Sequence, residues 1–329
     1  MQNIRNSSIE LLRLVCMISI VIHHFIISVL SPNFESRGFT FFDLILHSSV
    51  IIFVLISGFY GIKFKLSKFI NIVLIVLFWS VTLTVIGMTL FGGVDLNCLI
   101  NSFLPISGNN YWFITVYLEL YLISPFINKL ILNLSKQHLL YFIGLLTIFV
   151  VYLGLIRHDP IYATGKNLTN FILIYSIGRY LRNYDTFKPC HNYIGVATII
   201  VLFALICLLP NTHNLYIHAV AFAYQYNSPL IILLSIFLFN IIRKHMFSSA
   251  FINKAALSAL SIYLIHEHPV LREHIYVDIL EQYILPYGGT CFAIVYAFFL
   301  AFCCILADQL RIILFSAVSS IKKKIFSRV

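Results

Sequence analysis

The sequence predicts an all-α protein, a membrane bundle of about ten transmembrane helices with both termini cytoplasmic. Three observations predict it. The 329 residues are 60% hydrophobic and 10% charged, with mean hydropathy +0.94, whereas a soluble domain carries about 25% charged residues. Apolar runs long enough to cross a bilayer recur along the whole chain. Lysine and arginine collect in every second loop between those runs, as the positive-inside rule requires.

The runs lie at roughly 9–30, 42–62, 69–91, 112–132, 138–156, 168–182, 192–209, 227–243, 255–271 and 288–315. With the N-terminus in the cytoplasm, 17 of the 22 basic residues fall inside. Four fall outside, Arg37, Arg157, Lys166 and Arg272, and Arg13 lies within the membrane. No charged stretch long enough to fold alone separates the runs, so residues 1–329 are expected to form one integral membrane domain. The net charge of +10 therefore signals topology and a lipid bilayer rather than nucleic acid. The seven cysteines have no metal-ligand spacing and read as small buried hydrophobes. The first run lacks a small-residue cleavage site and is followed by further spans, so it reads as a span and not a leader.

The first run carries the chemistry. Glu10 to His24 reads ELLRLVCMISIVIHH. At about 100° per residue, Arg13 and His24 fall about 20° apart around the helix, on one stripe with Met17 and Ile20. His23 falls about 80° to the other side of Arg13. The pair is about 16 Å apart along the axis. One stripe thus places a cation near one membrane face and an imidazole towards the midplane. A membrane histidine can serve as a neutral interhelical strut. An arginine and a histidine on one stripe favour function, because intramembrane charges usually face a cavity.

The second run ends FVLISGFYG, where Ser57 and Gly58 form a notch for packing or for a ligand. Lys63, Lys65 and Lys68 follow at the cytoplasmic face. They can hold cofactor phosphates or set topology against anionic lipid; the residues alone favour topology. Tyr111 and Trp112 enter the fourth run. They suit an interfacial anchor and equally a platform for a sugar ring. Glu119 within that run is costly unless partnered, and can pair with Arg13 or orient a histidine. Pro125 is expected to break helix regularity there. Arg179 and Arg182, one turn apart, can grip phosphate or mark the inner face.

The ninth run closes on His266, Glu267, His268, Arg272, Glu273 and His274. His-Glu-His before proline is not the H-E-x-x-H zinc spacing. A polar cluster lining the outer mouth of a cavity, with no metal, is the expectation.

These segments, in this order, resemble acyltransferase family 3, the integral membrane acyltransferases. The matching features are Arg13 and His24 with ten residues between them, Ser57-Gly58-Phe59, the Tyr111 to Pro125 entry ending in Tyr-Leu-x-Ser-Pro, and Ile262 to His266. Many members have an R-x-x-R pair soon after the SGF segment; here Lys63, Lys65, Lys68 and Asn71 stand instead. The hydrolase-like domain fused to some members is not seen.

The resemblance implies transfer of an acyl group, most often acetyl, from cytoplasmic acetyl-CoA to a hydroxyl of a surface polysaccharide or exopolysaccharide. It implies a bacterial cytoplasmic membrane, and an acceptor carbohydrate that is free or lipid-linked. His24 is then the candidate general base or transient acyl carrier, with Arg13 on the cofactor or the thioester. Glu119 and Glu267 are candidates to orient the imidazole. Lys63, Lys65 and Lys68 are candidates for CoA, and Tyr111, Trp112, His266 and Glu267 for the sugar. The rival class is a secondary transporter or polysaccharide exporter, which also uses intramembrane charges; the chain shows no internal repeat. A scaffold without chemistry would not need Arg13 and His24 on one stripe. The residues neither require nor exclude a homodimer.

Overall fold

The computed structural model describes residues 6–31, 34–92, 96–108, 111–184 and 188–326, with side chains as far as Ser316. Arg5, Asn109, Asn110, Arg328 and the side chains of Lys322, Lys323 and Lys324 lie outside the described residues. Within them the regular structure is helical throughout, with no strand. The main helices are α1 Ser7–Leu30, α2 Arg37–Tyr60, α3 Leu66–Phe91, α4 Trp112–Asn133, α5 Lys136–Ile156 and α6 Leu168–Tyr184. They continue as α7 Pro189–Leu208, α8 Thr212–Tyr224, α9 Pro229–Ile242, α10 Ala250–His266 and α11 Leu271–Ser316.

Every expected apolar run falls on one of these helices, but the count of ten is not reached by length. Among the described residues seven helices are long and apolar enough to cross a membrane, or eight if α8 and α9, bent by 47°, form one span. The 17 residues of α6 cover about 25 Å, short of a hydrocarbon core of about 30 Å. By contrast α11 is too long for one crossing, and Gly289, at φ 57°, breaks it.

The centre of the bundle is α1, which packs on α2, α9, α10 and α11. Its start is fixed by Asn6, whose side chain accepts from the Ser8 amide at 3.1 Å, and by Glu10 in the first turn, favourable at the positive end of the helix dipole. The tightest crossing is α2 on α6. A Cβ at Gly58 would overlap the Tyr175 carbonyl, and one at Gly178 would lie 2.6 Å from the Leu55 carbonyl oxygen. Backbone-to-backbone contact of this kind is how small residues hold membrane helices together. The packing reading of the SGF notch holds at Gly58. Gly58 packs, while Ser57 turns towards a cavity and meets Tyr117 Oη at 3.3 Å.

Pro125 does not break α4, contrary to expectation; the helix runs through it to Asn133. Proline removes the amide that would pair with the Tyr121 carbonyl. Ser124 Oγ donates to that carbonyl at 2.8 Å instead, so the freed acceptor is satisfied.

The loop after α2 is pinned from three sides. Tyr175 Oη accepts from the Ile62 amide at 2.9 Å and donates to Asn128 at 2.8 Å. Asn128 donates to the Ile62 carbonyl at 2.9 Å, and Tyr121 Oη accepts from the Lys65 amide at 3.2 Å. This clamp fixes where Lys63 stands. A second buried polar chain ties α3, α10 and α11 together. Trp79 Nε1 donates to Ser261 Oγ at 2.9 Å, Ser261 donates to Asp308 at 2.5 Å, and Arg311 Nε reaches the same carboxylate oxygen at 2.7 Å. The fully buried Asp308 carboxylate is met at Oδ1 by both Ser261 and Arg311, and Arg311 supplies the opposing charge.

Candidate functional site

The Arg13–His24 stripe is a line of cavities. At the end of the bundle that carries the N-terminus lies a vestibule of about 900 Å³. Arg13, Lys63, Arg182 and Arg243 line it, with Glu10 as its acidic member. Arg182 and Arg243 each place a guanidinium against the Phe59 ring, at 5.2 and 5.1 Å from its centroid. Stacking of that kind holds a guanidinium plane at the cavity wall, and Arg243 Nε also donates to Asn240 at 2.8 Å. Arg13 bonds Glu10 at 3.2 Å and also lines the next cavity inward, about 250 Å³, beside Met17, Ser57 and Tyr117. That cavity shares Met17, Phe53, Phe113 and Tyr263 with a third, of about 20 Å³, where His24 stands. Ile20 lines the third as well. All four residues of the stripe thus face one path, and His23 faces away, as their angles require.

His24 is held on its far side by α10 and the turn that follows. Its Nδ1 is 3.1 Å from His266 Nε2 and 3.2 Å from Glu267 Oε1. The tautomers follow from the partners. His266 Nδ1 lies 2.6 Å from the Ile262 carbonyl, which only accepts, so His266 Nδ1 carries the proton and Nε2 offers a lone pair. His24 Nδ1 then faces two acceptors and must itself be the donor. That leaves His24 Nε2 unprotonated, the form a base or nucleophile needs. Glu267 Oε1 is fixed by Tyr276 Oη at 2.6 Å, and Arg272 stands 3.8 Å from Oε2.

The nitrogen and oxygen atoms of His24, His266 and Glu267 lie within 4.8 Å of one another, so they can also hold a divalent cation. The same spacing serves direct hydrogen bonds, and chelation separates the two, as set out in the Discussion.

His23 belongs to a different cluster. Its Nδ1 meets Asp43 at 2.7 Å and Tyr224 Oη at 3.3 Å. His47 stacks between Tyr224 and Tyr226, at centroid distances of 4.2 and 4.0 Å. The rule that flagged Glu119, an ionisable group inside an apolar run, applies equally to Asp43, His47 and Asp308.

Several expected site residues stand elsewhere. Glu119 is on the exposed face of α4, so it orients no histidine; the carboxylate at His24 is Glu267. The 3.6-residue period explains this, since Leu118 and Leu120 beside it are buried. Tyr111 is 1% exposed and donates to the Leu264 carbonyl at 3.1 Å, so it is a strut rather than a sugar platform. Trp112 does line the His24 cavity. His266 is fully buried behind His24 instead of lining an open mouth. Lys63 is in the vestibule, whereas Lys65 and Lys68 are exposed at the start of α3. Arg182 and Arg243, far apart in sequence, were not separable from topology determinants by pattern.

A family model described as an acyltransferase domain, that of acyltransferase family 3, matches residues 6–308. The chain belongs to acyltransferase family 3. No curated protein and no solved structure matches it. As a family-3 member it is a multi-pass membrane O-acyltransferase. That sets aside the transporter and scaffold readings. Lysines follow the SGF segment in this acyltransferase, and the arginines of its vestibule are Arg13 of α1, Arg182 of α6 and Arg243 just after α9.

Proposed function

We propose that this acyltransferase moves an acetyl group from acetyl-CoA, bound in the vestibule, to a carbohydrate hydroxyl that reaches His24 from the opposite end. The observation that carries this reading is the line of cavities from four cations to a single imidazole. Coenzyme A is a phosphate-rich head on a slender thioester arm. The vestibule offers guanidinium forks and an ammonium for the head. The arm follows Met17 over about 16 Å of helix. The terminal cavity of about 20 Å³ takes roughly one water-sized group, which suits an acetyl methyl. The excess of basic residues at the vestibule end supports a cytoplasmic vestibule, and a bacterial cytoplasmic membrane and a surface polysaccharide or exopolysaccharide acceptor go with this reading.

In the base version, His24 Nε2 takes the proton of the sugar hydroxyl as its oxygen attacks the thioester carbonyl. The carbon–sulfur bond then breaks, and the imidazolium returns the proton to the departing thiolate. In the carrier version, Nε2 attacks the thioester first and CoA leaves as the thiolate; the sugar oxygen then takes the acetyl group from the ring, and the hydroxyl proton passes to the freed Nε2. Both place positive charge on His24. His266 Nε2 and the Glu267 carboxylate, at the Nδ1 proton, stabilise it. Arg13 holds the donor where vestibule and tunnel meet.

The test is incubation of nanodisc-embedded protein with radiolabelled acetyl-CoA and no acceptor. CoA release in wild type that His24→Ala abolishes supports acyl transfer, and label on wild-type protein selects the carrier version. A folded His24→Ala protein with full transfer would refute both versions.

A further inference from the structure

The middle cavity of the line, about 250 Å³, has polar groups that the mechanism does not use. Arg13, Ser57, Tyr117 and Tyr263 are the lining residues with a hydrogen-bonding side chain. Arg13 is shared with the vestibule and Tyr263 with the His24 cavity. Of the three cavities, Ser57 and Tyr117 line only the middle one.

The helices fix the level of this pair. Ser57 follows Phe53 by four residues on α2, and Tyr117 follows Phe113 by four on α4. Phe53 and Phe113 line both the middle and the His24 cavities. From there α2 descends to Phe59 and Tyr60 in the vestibule, and α4 descends to Tyr121, which meets the Lys65 amide. Four residues rise about 6 Å, so Ser57 and Tyr117 stand one turn nearer the vestibule than the two phenyl rings. Tyr117 stacks on Phe113 at 5.9 Å and 16°, which steadies its hydroxyl at that level.

Hydrogen-bond accounting says what the pair can accept. Ser57 Oγ donates to the Phe53 carbonyl at 3.0 Å, and a hydroxyl has one hydrogen to give. Tyr117 Oη, 3.3 Å from Ser57 Oγ, is then the donor between the two. With both hydrogens committed, the pair shows lone pairs to the cavity, and its complement is an N–H.

The arm of coenzyme A carries an N–H at the matching depth. From the thioester carbon, the amide nitrogen nearer the phosphates is eight bonds away and the first phosphorus fourteen. At the reach of an extended chain, about 1.2 Å per bond, these lie at about 10 and 17 Å. Along α1, Met17 and Arg13 lie about 10 and 16 Å from His24. A thioester at His24 with a phosphate at Arg13 thus brings this amide level with Met17, in the cavity that Ser57 and Tyr117 line.

We propose that Tyr117, braced on Ser57, is a positioning residue for the donor, its hydroxyl accepting the N–H of the pantetheine amide nearer the phosphates. The inference rests on the acyl-CoA reading above and adds the contact that sets how deep the thioester reaches. Ile72, Ile114 and Leu260 wall the same cavity, and an amide N–H stripped of water among such side chains needs an acceptor.

The probes are CoA and its analogue with an ester oxygen in place of that nitrogen, titrated calorimetrically against nanodisc-embedded protein. Wild type is expected to bind CoA about tenfold more tightly than the ester, and in Tyr117→Phe the ratio should fall to within about twofold through weaker binding of CoA. The ratio is read within one protein, so a general loss of affinity cancels. Ser57→Ala releases the Tyr117 hydrogen to the cavity, where it can serve the ester too; the ratio should narrow there as well, which covers a Tyr117→Phe protein that does not fold. Equal affinity of wild type for the two ligands, or a wild-type ratio in either variant, would overturn the proposal and leave the pair a strut between α2 and α4. CoA binding with a flat ratio leaves the acyl-CoA reading standing and removes only the amide contact. Folded wild type that binds neither ligand overturns both.

Discussion

Glu267→Gln replaces one carboxylate oxygen with an amide and leaves the side chain's shape unchanged. Before the change, Glu267 Oε1 stands 3.2 Å from His24 Nδ1 and accepts from Tyr276 at 2.6 Å. The charge on this group matters when His24 becomes cationic, which happens only during reaction. A hydrogen bond to a charged group contributes about 1.5–3 kcal/mol, or roughly ten- to a hundredfold in rate. Because the interaction strengthens as charge develops, the loss should fall on kcat with KM for acetyl-CoA unchanged. The assay is steady-state CoA release from nanodisc-embedded protein, with wild type run beside it in EDTA. Full wild-type activity in EDTA excludes the alternative in which Glu267 acts as a metal ligand. A kcat within about twofold of wild type, against the tenfold expected from that bond, would refute the account of how His24 is oriented.

Three further outcomes follow from the same geometry. Arg182→Gln and Arg243→Gln should each raise KM for acetyl-CoA by about tenfold with kcat retained, because each removes a charged donor from the vestibule and none from His24; unchanged KM in both would place the CoA head elsewhere. Ile20→Ala enlarges the His24 cavity, so turnover of butyryl-CoA relative to acetyl-CoA should rise; a ratio equal to wild type would show that this cavity does not set chain length. Gly58→Ala forces a methyl into the Tyr175 backbone and should lower thermal stability by about 1–3 kcal/mol; a wild-type melting profile would mean α2 and α6 separate easily.

The fold and part of the site were legible in the sequence for identifiable reasons. Helical period alone put Arg13, Met17, Ile20 and His24 on one path, because all four are on one helix whose geometry is fixed. Hydropathy found each apolar helix, but length and composition bear out seven or eight of the ten expected spans, since α10 is apolar but short and α6 has 17 residues. What failed were pairings between helices. Glu119 was credible as the partner of a histidine because nothing local says which way a mid-span residue points. Glu267 won because it follows α10 directly, where the chain turns next to the end of α1. Arg243 and Arg182 meet at Phe59 through tertiary packing that no spacing rule encodes. Asp43 and Asp308 were findable, as acids inside apolar runs, and each proved to be a partnered polar link.

The most direct test of the central claim is a structure of the nanodisc-embedded protein with a non-hydrolysable acetyl-CoA analogue. The account predicts phosphates among Lys63, Arg182 and Arg243, the pantetheine arm passing Arg13 and Met17, and the acetyl carbonyl beside His24 Nε2. An analogue bound with its acetyl end away from His24, or with its phosphates outside the vestibule, would contradict it.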